Sequence, residues 1–424
     1  MGRVVALKGI KIEYEPNEEA VELIKRYTKA VQDFLEVAVE KKITSLAKMN
    51  DYRQEVRDKH DLSGATAVLA MKDALAIYKA WRRRRKGRKS KPVVKHLFMK
   101  AMHGYNAKLM DDDRLRITKK QGDYIYLKLK VGKYQQEYLE KVRNGELSLG
   151  IIVVTPEYCV FPVKKDVELF KPEGLLALDL NEKSIEGLVI KDGKVEFYTW
   201  DLKDVFECAV NCFERFRRFQ SRYPNRFRLH RKIARRWFGK RNHRIEWMLH
   251  NVTKEIVELA EREKLLIVME DLKGIKYGIN RRELKVNKYN GKLQWHRKLP
   301  RKLLGRLNRW MVRKIQFMLQ YKSDWSSVPT SYVNPANTSK LCPRCGSRLE
   351  VSPDWHSLVC PSCNLVGNRH RIACINIAMR AINEDEALRF GADWGAMQPS
   401  WLSPSVGLSP QTQQNLKMDS EIIH

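Results

Sequence analysis

The sequence contains no apolar run approaching the roughly 18–20 residues that a bilayer-spanning helix needs. Its opening, MGRVVALKGIKIEYEP, has neither an apolar signal core nor a small-residue cleavage site. Ala6 stands where a myristoylation signal calls for Ser or Thr. These absences argue against membrane attachment and export, so a cytoplasmic or nucleoid protein is expected. No internal repeat is present, which argues against a repeat architecture. Acidic residues are scarce: 50 Asp and Glu face 81 Lys and Arg, a formal net charge of +31 at pH 7. So large an excess goes beyond what solubility requires and points to a polyanionic partner. The shortage is sharpest near the C-terminal end, where CPSCNLVGNRHRIACINIA, residues 360 to 378, holds no carboxylate at all.

What is present suits a large, core-forming chain. With 424 residues, 43% of them hydrophobic, two or three folding units are expected. Residues 3–14 alternate as a strand does. Residues 17–48 carry Val21, Ile24, Tyr27, Val31, Phe34 and Ala38 at helical spacing. A second helical stretch, 64–81, runs into WRRRRKGRKSK, and eight of the ten residues from 82 to 91 are basic. Arg82, Arg83, Arg84 and Arg85 are therefore candidate contacts to nucleic-acid phosphates. Strand-like runs return at 115–131 and 149–163.

A Lys-Pro-Glu-Gly break at 171–174 opens a new unit. Residues 174–200 read as three successive strands, with Asp192-Gly193 as a hairpin turn between the last two. Residues 203–220 form an amphipathic helix whose Cys208 and Cys212 read as core thiols. The block RFRLHRKIARRWFGKRNHR, 226–244, holds nine Lys or Arg interleaved with rings. Arg235, Arg236, Trp237 and Arg241 are its candidate nucleic-acid contacts, since rings stack on bases while cations meet phosphates. A long helix to about 263, a buried strand at 265–271 and a third basic stretch at 273–302 follow.

Cys342-x2-Cys345 and Cys360-x2-Cys363 are separated by fourteen residues, each pair on a Pro-x-Cys knuckle. Four thiolates at this spacing close a tetrahedron around Zn²⁺ with no open position, so the site is structural. Two carboxylates stand out for a different reason. Asp179 ends the apolar strand LLALDL and Glu270 ends LLIVME. A buried strand does not place a charge at its end without compensation, and two such acids on adjacent strands can hold Mg²⁺ for phosphodiester hydrolysis. The order is a three-strand meander with Asp179, a helix, then a strand with Glu270. That order is that of an RNase H-like α/β fold.

From about 170 to 384 the chain resembles the TnpB family, nucleases encoded by a class of insertion sequences and related to type V CRISPR effectors. The resemblance rests on ALDLNEKSIEG, NHRIEWMLHNVTKEIV, IVMEDLKGI, and VNPANTSKLCPRCG through CPSCNLVGNRHRIACINIA. It implies an N-terminal strand (wedge-like) domain over 1–170 with a helical recognition insertion at about 16–105. A RuvC-like nuclease domain over 171–340, an inserted zinc ribbon at 341–364, the last RuvC-like helix at 365–390 and a disordered tail at 391–424 complete the expected organisation. The family binds a guide RNA and cuts matching DNA beside a short flanking motif, so guide RNA and target DNA are the implied partners.

In its last acidic motif the family reads Asp-Arg-(Asp or His)-x-Asn-Ala. This chain has Asn368-Arg369-His370-Arg371-Ile372-Ala373. Arg369, Ala373, Asn376 and Ile377 match, but the family's acid falls on Asn368 and its Asn on Ile372. The implied catalytic set is Asp179, Glu270 and Asn368, the last a degenerate third position facing the metal as a neutral amide. Glu384 and Asp385, about four turns down the same helix, and Asp354, in the ribbon loop, are the candidate substitutes for the missing acid. The resemblance thus implies an RNA-guided DNA endonuclease, Mg-dependent and impaired. Alternatives are a nuclease-dead RNA-guided DNA binder that represses, or a guide-independent zinc-ribbon protein.

Overall fold

Residues 2–83, 90–286, 291–352, 357–385 and Leu388 are described by the structure, a computed structural model. Arg84, Arg85, Asp354 and the tail expected from 391 lie outside the described residues. The chain divides into two units, Val5–Asp166 and Val167–His424 with Met1–Val4.

In the first unit the strand β1 (Arg3–Tyr14) alternates buried and exposed, with Ile10, Ile12 and Tyr14 turned inward. Helices α1 (Glu18–Glu40), α2 (Leu46–Asn50), α3 (Arg53–Lys59) and α4 (Gly64–Arg83) follow. Asn17 caps α1 by accepting from the Ala20 amide at 2.9 Å. The helical stretch expected as far as 48 breaks after Glu40, where Lys42 turns to φ +55° and Ser45 starts a new helix. The chain returns through β2 (Met99–Ala101), β3 (Ala107–Leu109), β4 (Arg114–Lys120) and β5 (Asp123–Lys130). After α5 (Lys133–Arg143) come β6 (Ser148–Leu149), β7 (Ile152–Val154) and β8 (Tyr158–Glu168). These strands form a sheet in the order β2-β7-β8-β1-β5-β4-β3, with β6 on β8.

The second unit begins with the meander β9 (Gly174–Leu180), β10 (Ser184–Lys191) and β11 (Lys194–Asp201). Its second turn has positive φ at both Asp192 and Gly193, +49° and +72°, the twist that a two-residue hairpin requires. Helices α6 (Lys203–Arg222) and α7 (Phe227–Arg262) precede β12 (Leu265–Glu270). The basic block at 226–244 is thus itself the first half of α7, not a segment ahead of it. Then come α8 (Ile275–Asn280), the hairpin β13 (Arg282–Val286) and β14 (Leu293–Arg297), α9 (Arg301–Arg309), α10 (Val312–Trp325) and β15 (Thr330–Val333). The chain closes with β16 (Glu350–Val351), β17 (Ser357–Val359), β18 (Val366–Asn368) and α11 (Arg369–Glu384).

The central sheet runs β11-β10-β9-β12-β15. Its first three strands are mutually antiparallel, while β12 runs parallel to both β9 and β15. Both faces are covered, which is why β9 and β12 read as unbroken apolar runs. Leu176, Leu178, Ile267 and Met269 share one core with residues of α7 and α10, such as Ile256 and Leu319. Leu175, Ala177, Leu266 and Val268 share the other with Ile372 and Ile375 of α11 and with Cys342 and Cys360. Gly174 opens β9 where a Cβ would lie 2.7 Å from the Ile190 carbonyl and 2.5 Å from Leu265, so only glycine fits. No described helix is long and apolar enough to cross a membrane.

Candidate functional site

Strand alternation decides where the two acids point. Side chains two residues apart share a face, so Asp179 follows Leu175 and Ala177, and Glu270 follows Leu266 and Val268, onto the α11 side of the sheet. Register brings them together: Leu178 pairs with Met269, so the next residues, Asp179 and Glu270, sit side by side at the ends of neighbouring strands. Adjacent strands lie about 4.8 Å apart. Both acids line one cleft of about 390 Å³, together with Asn181, Thr338, Arg369 and His370.

Each carboxylate is held by its own donors. Asn181 Nδ2 donates to Asp179 Oδ2 at 2.8 Å, and His370 Nδ1 lies 3.1 Å from the same oxygen. The Thr338 hydroxyl donates to Glu270 Oε1. Thr338 is in turn anchored by Asn376 of α11, whose Nδ2 donates to the Thr338 carbonyl at 2.6 Å and to that of Leu341 at 2.9 Å. Burial raises the pKa of Glu270; the Thr338 hydrogen bond opposes this and the nearby Asp179 charge adds to it. Burial lowers that of His370, but the hydrogen bond and charge of Asp179 outweigh it, and the net shift is upward. Two like charges on one half-buried face are the arrangement a cation relieves.

Asn368, expected to face this point, does not line the cleft. It is the N-cap of α11: its Oδ1 accepts from the amides of His370 at 2.9 Å and Arg371 at 3.4 Å. The helix starts immediately after it, so the amide side chain folds back over the helix end. The residue that reaches Asp179 is His370, two positions on. Glu384 ends α11, fifteen residues beyond Arg369 and so about 22 Å along the helix. Neither it nor Asp385 lines the cleft. His370, Asn181 and Thr338 were not singled out from sequence. The one local signal was that Asn181 and His370 are polar residues within two positions of Asp179 and Asn368.

The sulfurs of Cys342, Cys345, Cys360 and Cys363 all lie within 4.8 Å of one another. The Cys342–Cys363 and Cys345–Cys360 separations are 3.6 and 3.4 Å. A tetrahedron with Zn–S bonds of about 2.3 Å has edges near 3.8 Å, so the donor set matches one zinc ion. Hydrogen bonds from Ser347 hold the Cys345 thiol down to about 6, whereas burial pushes Cys342 up to about 12. A buried sulfur of that kind becomes a thiolate only beside a cation.

The basic candidates are distributed differently. Arg82 and Arg83 are exposed in the last turn of α4. On α7, Arg235 and Arg236 are exposed, while Trp237 and Arg241 are half-buried. Arg236, Trp237 and Arg241 line a groove of about 660 Å³ between α6 and α7, facing Cys208 and Cys212. The two thiols, expected in the core, are only partly buried at this groove. Trp237 is less available than interleaving suggested: Phe219 packs edge-on at 5.9 Å and the Arg215 guanidinium lies 5.5 Å from its ring centre. Phe216, Phe219 and Phe238 extend this seam and staple the two helices.

Residues 313–377 match the family profile described as Cas12f1-like, TNB domain, and residues 23–142 match that of the uncharacterized protein MJ0013 family. TnpB-like protein MJ0751 of Methanocaldococcus jannaschii is 29% identical over 275 residues, 63% of this chain and 90% of its own. CRISPR-associated endodeoxyribonuclease Cas12f2 of a Micrarchaeota archaeon is 25% identical over 64% of this chain and 46% of its own. Among solved structures, Cas12f1 in its complex with sgRNA and target DNA superposes with a TM-score of 0.57 at 14% identity, covering 85% of this chain and 83% of that one. That likeness is one of mixed α/β fold.

Proposed function

Because this chain belongs to the TnpB-like family related to Cas12f, we propose that it is an RNA-guided DNA-binding protein carrying a RuvC-like, Mg-dependent DNA endonuclease site impaired at its third position. The observation that carries the reading is the in-register pair Asp179 and Glu270 on one face of the β11-β10-β9-β12-β15 sheet, in one cleft. Three antiparallel strands followed by two parallel ones is the arrangement expected of an RNase H-like fold. The donor chemistry, two neighbouring carboxylates of which Glu270 has its pKa raised by burial and further by the charge of Asp179, suits a divalent cation. Asp179 and Glu270 would hold Mg²⁺, which supplies Lewis-acid stabilisation of charge at a phosphodiester. Asn181 and His370 orient Asp179, and Thr338 orients Glu270. The arginines of α4 and α7 neutralise the backbone of guide RNA and target DNA, with base pairing reading the target. The four-cysteine cluster holds structural zinc and fixes the start of α11.

The second reading, a guide-dependent DNA binder that does not cut, is favoured by the third position itself: Asp179 faces an imidazole there, and the further acid lining the cleft, Glu182, is paired with Arg306. Purified protein with its co-expressed RNA, offered linear DNA bearing the guide match in Mg²⁺ and then Mn²⁺, separates the two. Cutting abolished by Asp179→Ala supports the nuclease. Tight guide-dependent binding without cutting supports the silent binder. Binding indifferent to the guide overturns both.

A further inference from the structure

Among the described residues the hairpin β13–β14 forms a two-stranded sheet of its own, and it carries its apolar residues outward. Cross-strand partners share a face. Leu284 pairs with Trp295 and Val286 with Leu293, so all four stand on one face, flanked at its end by the pair Arg282 and Arg297. Their exposures are 46, 66, 60 and 63% in that order. The opposite face is polar and internally paired, with Glu283 close to Lys285 and Lys298. A lone two-stranded hairpin is at best marginally stable in water, so a bare face of this kind needs a cover.

Charge says which cover. Between residues 272 and 310 there are thirteen Lys or Arg and one acid, Glu283. A second copy of a chain carrying +31 is repelled from that surface. A polyanion with apolar faces is attracted to it, and single-stranded nucleic acid is such a molecule; in a duplex the base faces are already stacked. The roots of the excursion lie at the cleft. The chain leaves β12 at Glu270, and α9 brings it back at Leu307 and Trp310, both of which line the cleft. The side-chain amides of Asn280 and Asn308 exchange two hydrogen bonds across the base, and Arg306 pairs with Glu182 on the cleft rim.

We infer that the apolar face of the 282–297 hairpin is a stacking platform for unpaired bases of the strand that feeds the cleft, with Trp295 as its principal ring. The inference rests on the nuclease-type reading of the cleft for the strand's destination, but the binding itself needs no cutting. The test is fluorescence anisotropy in chelator, with a labelled oligo(dT) and a labelled duplex of equal length, on the full chain. Trp295→Ala weakens oligo(dT) binding about tenfold, within the range for losing one stacked base, and leaves duplex binding unchanged. Trp295→Tyr keeps most of the affinity, and Leu284→Ala loses an intermediate amount. Equal loss on both probes, or no loss on either, overturns the platform. So does a parent chain that sediments as a dimer and becomes monomeric with Trp295→Ala, because a second copy then covers the face. If Trp295→Ala loses oligo(dT) selectively while no form of the protein cuts DNA, the platform stands and the nuclease reading falls; robust cutting with unaltered oligo(dT) binding gives the reverse.

Discussion

Substituting the two candidate third positions separately distinguishes them. His370→Asp puts a carboxylate where an imidazole now sits 3.1 Å from Asp179. One unit charge at about 4 Å and an effective dielectric of ~20 is worth roughly 4 kcal/mol, or about a thousandfold in rate if it counts fully in the transition state. Asn368→Asp adds the same charge at the N-cap of α11. Asp caps a helix as well as Asn does, and the first-turn amides already engage this side chain. Its expected effect on rate is below about tenfold. Guide-programmed cleavage under single-turnover conditions reads both. Calorimetric titration with Mn²⁺ adds a second readout: His370→Asp tightens cation binding, whereas Asn368→Asp leaves it unchanged. The apo protein should melt earlier with His370→Asp, because two carboxylates then face each other without a counter-ion, and added cation should restore it. Acceleration by Asn368→Asp with none by His370→Asp would refute the geometric assignment. Silence of both variants would refute the view that a missing charge is the defect.

Three other outcomes are expected. Removing zinc with a strong chelator, or Cys360→Ser, should lower the melting temperature and speed amide exchange in α11, because Cys360 shares a core with Ile372 and Ile375; metal analysis and hydrogen exchange check this. Gly174→Ala should destabilise the second unit by about 1–3 kcal/mol, as its Cβ meets the Ile190 carbonyl and Leu265, read by denaturant midpoint. Arg236→Ala and Arg241→Ala should each weaken nucleic-acid binding with little sequence dependence and reduce the salt slope by about 1, measured across a salt series.

Much of the fold was legible because it is written locally. The meander at 174–200, its Asp192-Gly193 turn and the buried strand ending in Glu270 follow from periodicity and turn chemistry over a few residues each. The cysteine pairs were legible for the same reason. Elsewhere local signals misled. Cys208 and Cys212 share a helical face with core residues, yet that face ends at a groove. Trp237 sits among cations in the sequence, but its neighbours in space are Phe219 and Arg215. The phenylalanines at 216 and 219 were there to be counted, but what they pack against depends on how α6 and α7 align.

By itself the sequence determined that strands, turns and a four-sulfur knuckle occur, and that acids end two apolar strands, because each is a property of neighbouring residues. Only the tertiary structure decided that β12 pairs with β9 in the register that sets Glu270 beside Asp179, and that α11 begins at Arg369 so that His370, not Asn368, meets Asp179. A shift of one residue in strand register sends a side chain to the opposite face, and a shift in helix start turns it about 100° away. Such phases are set by packing between distant segments, to which spacing along the chain is blind.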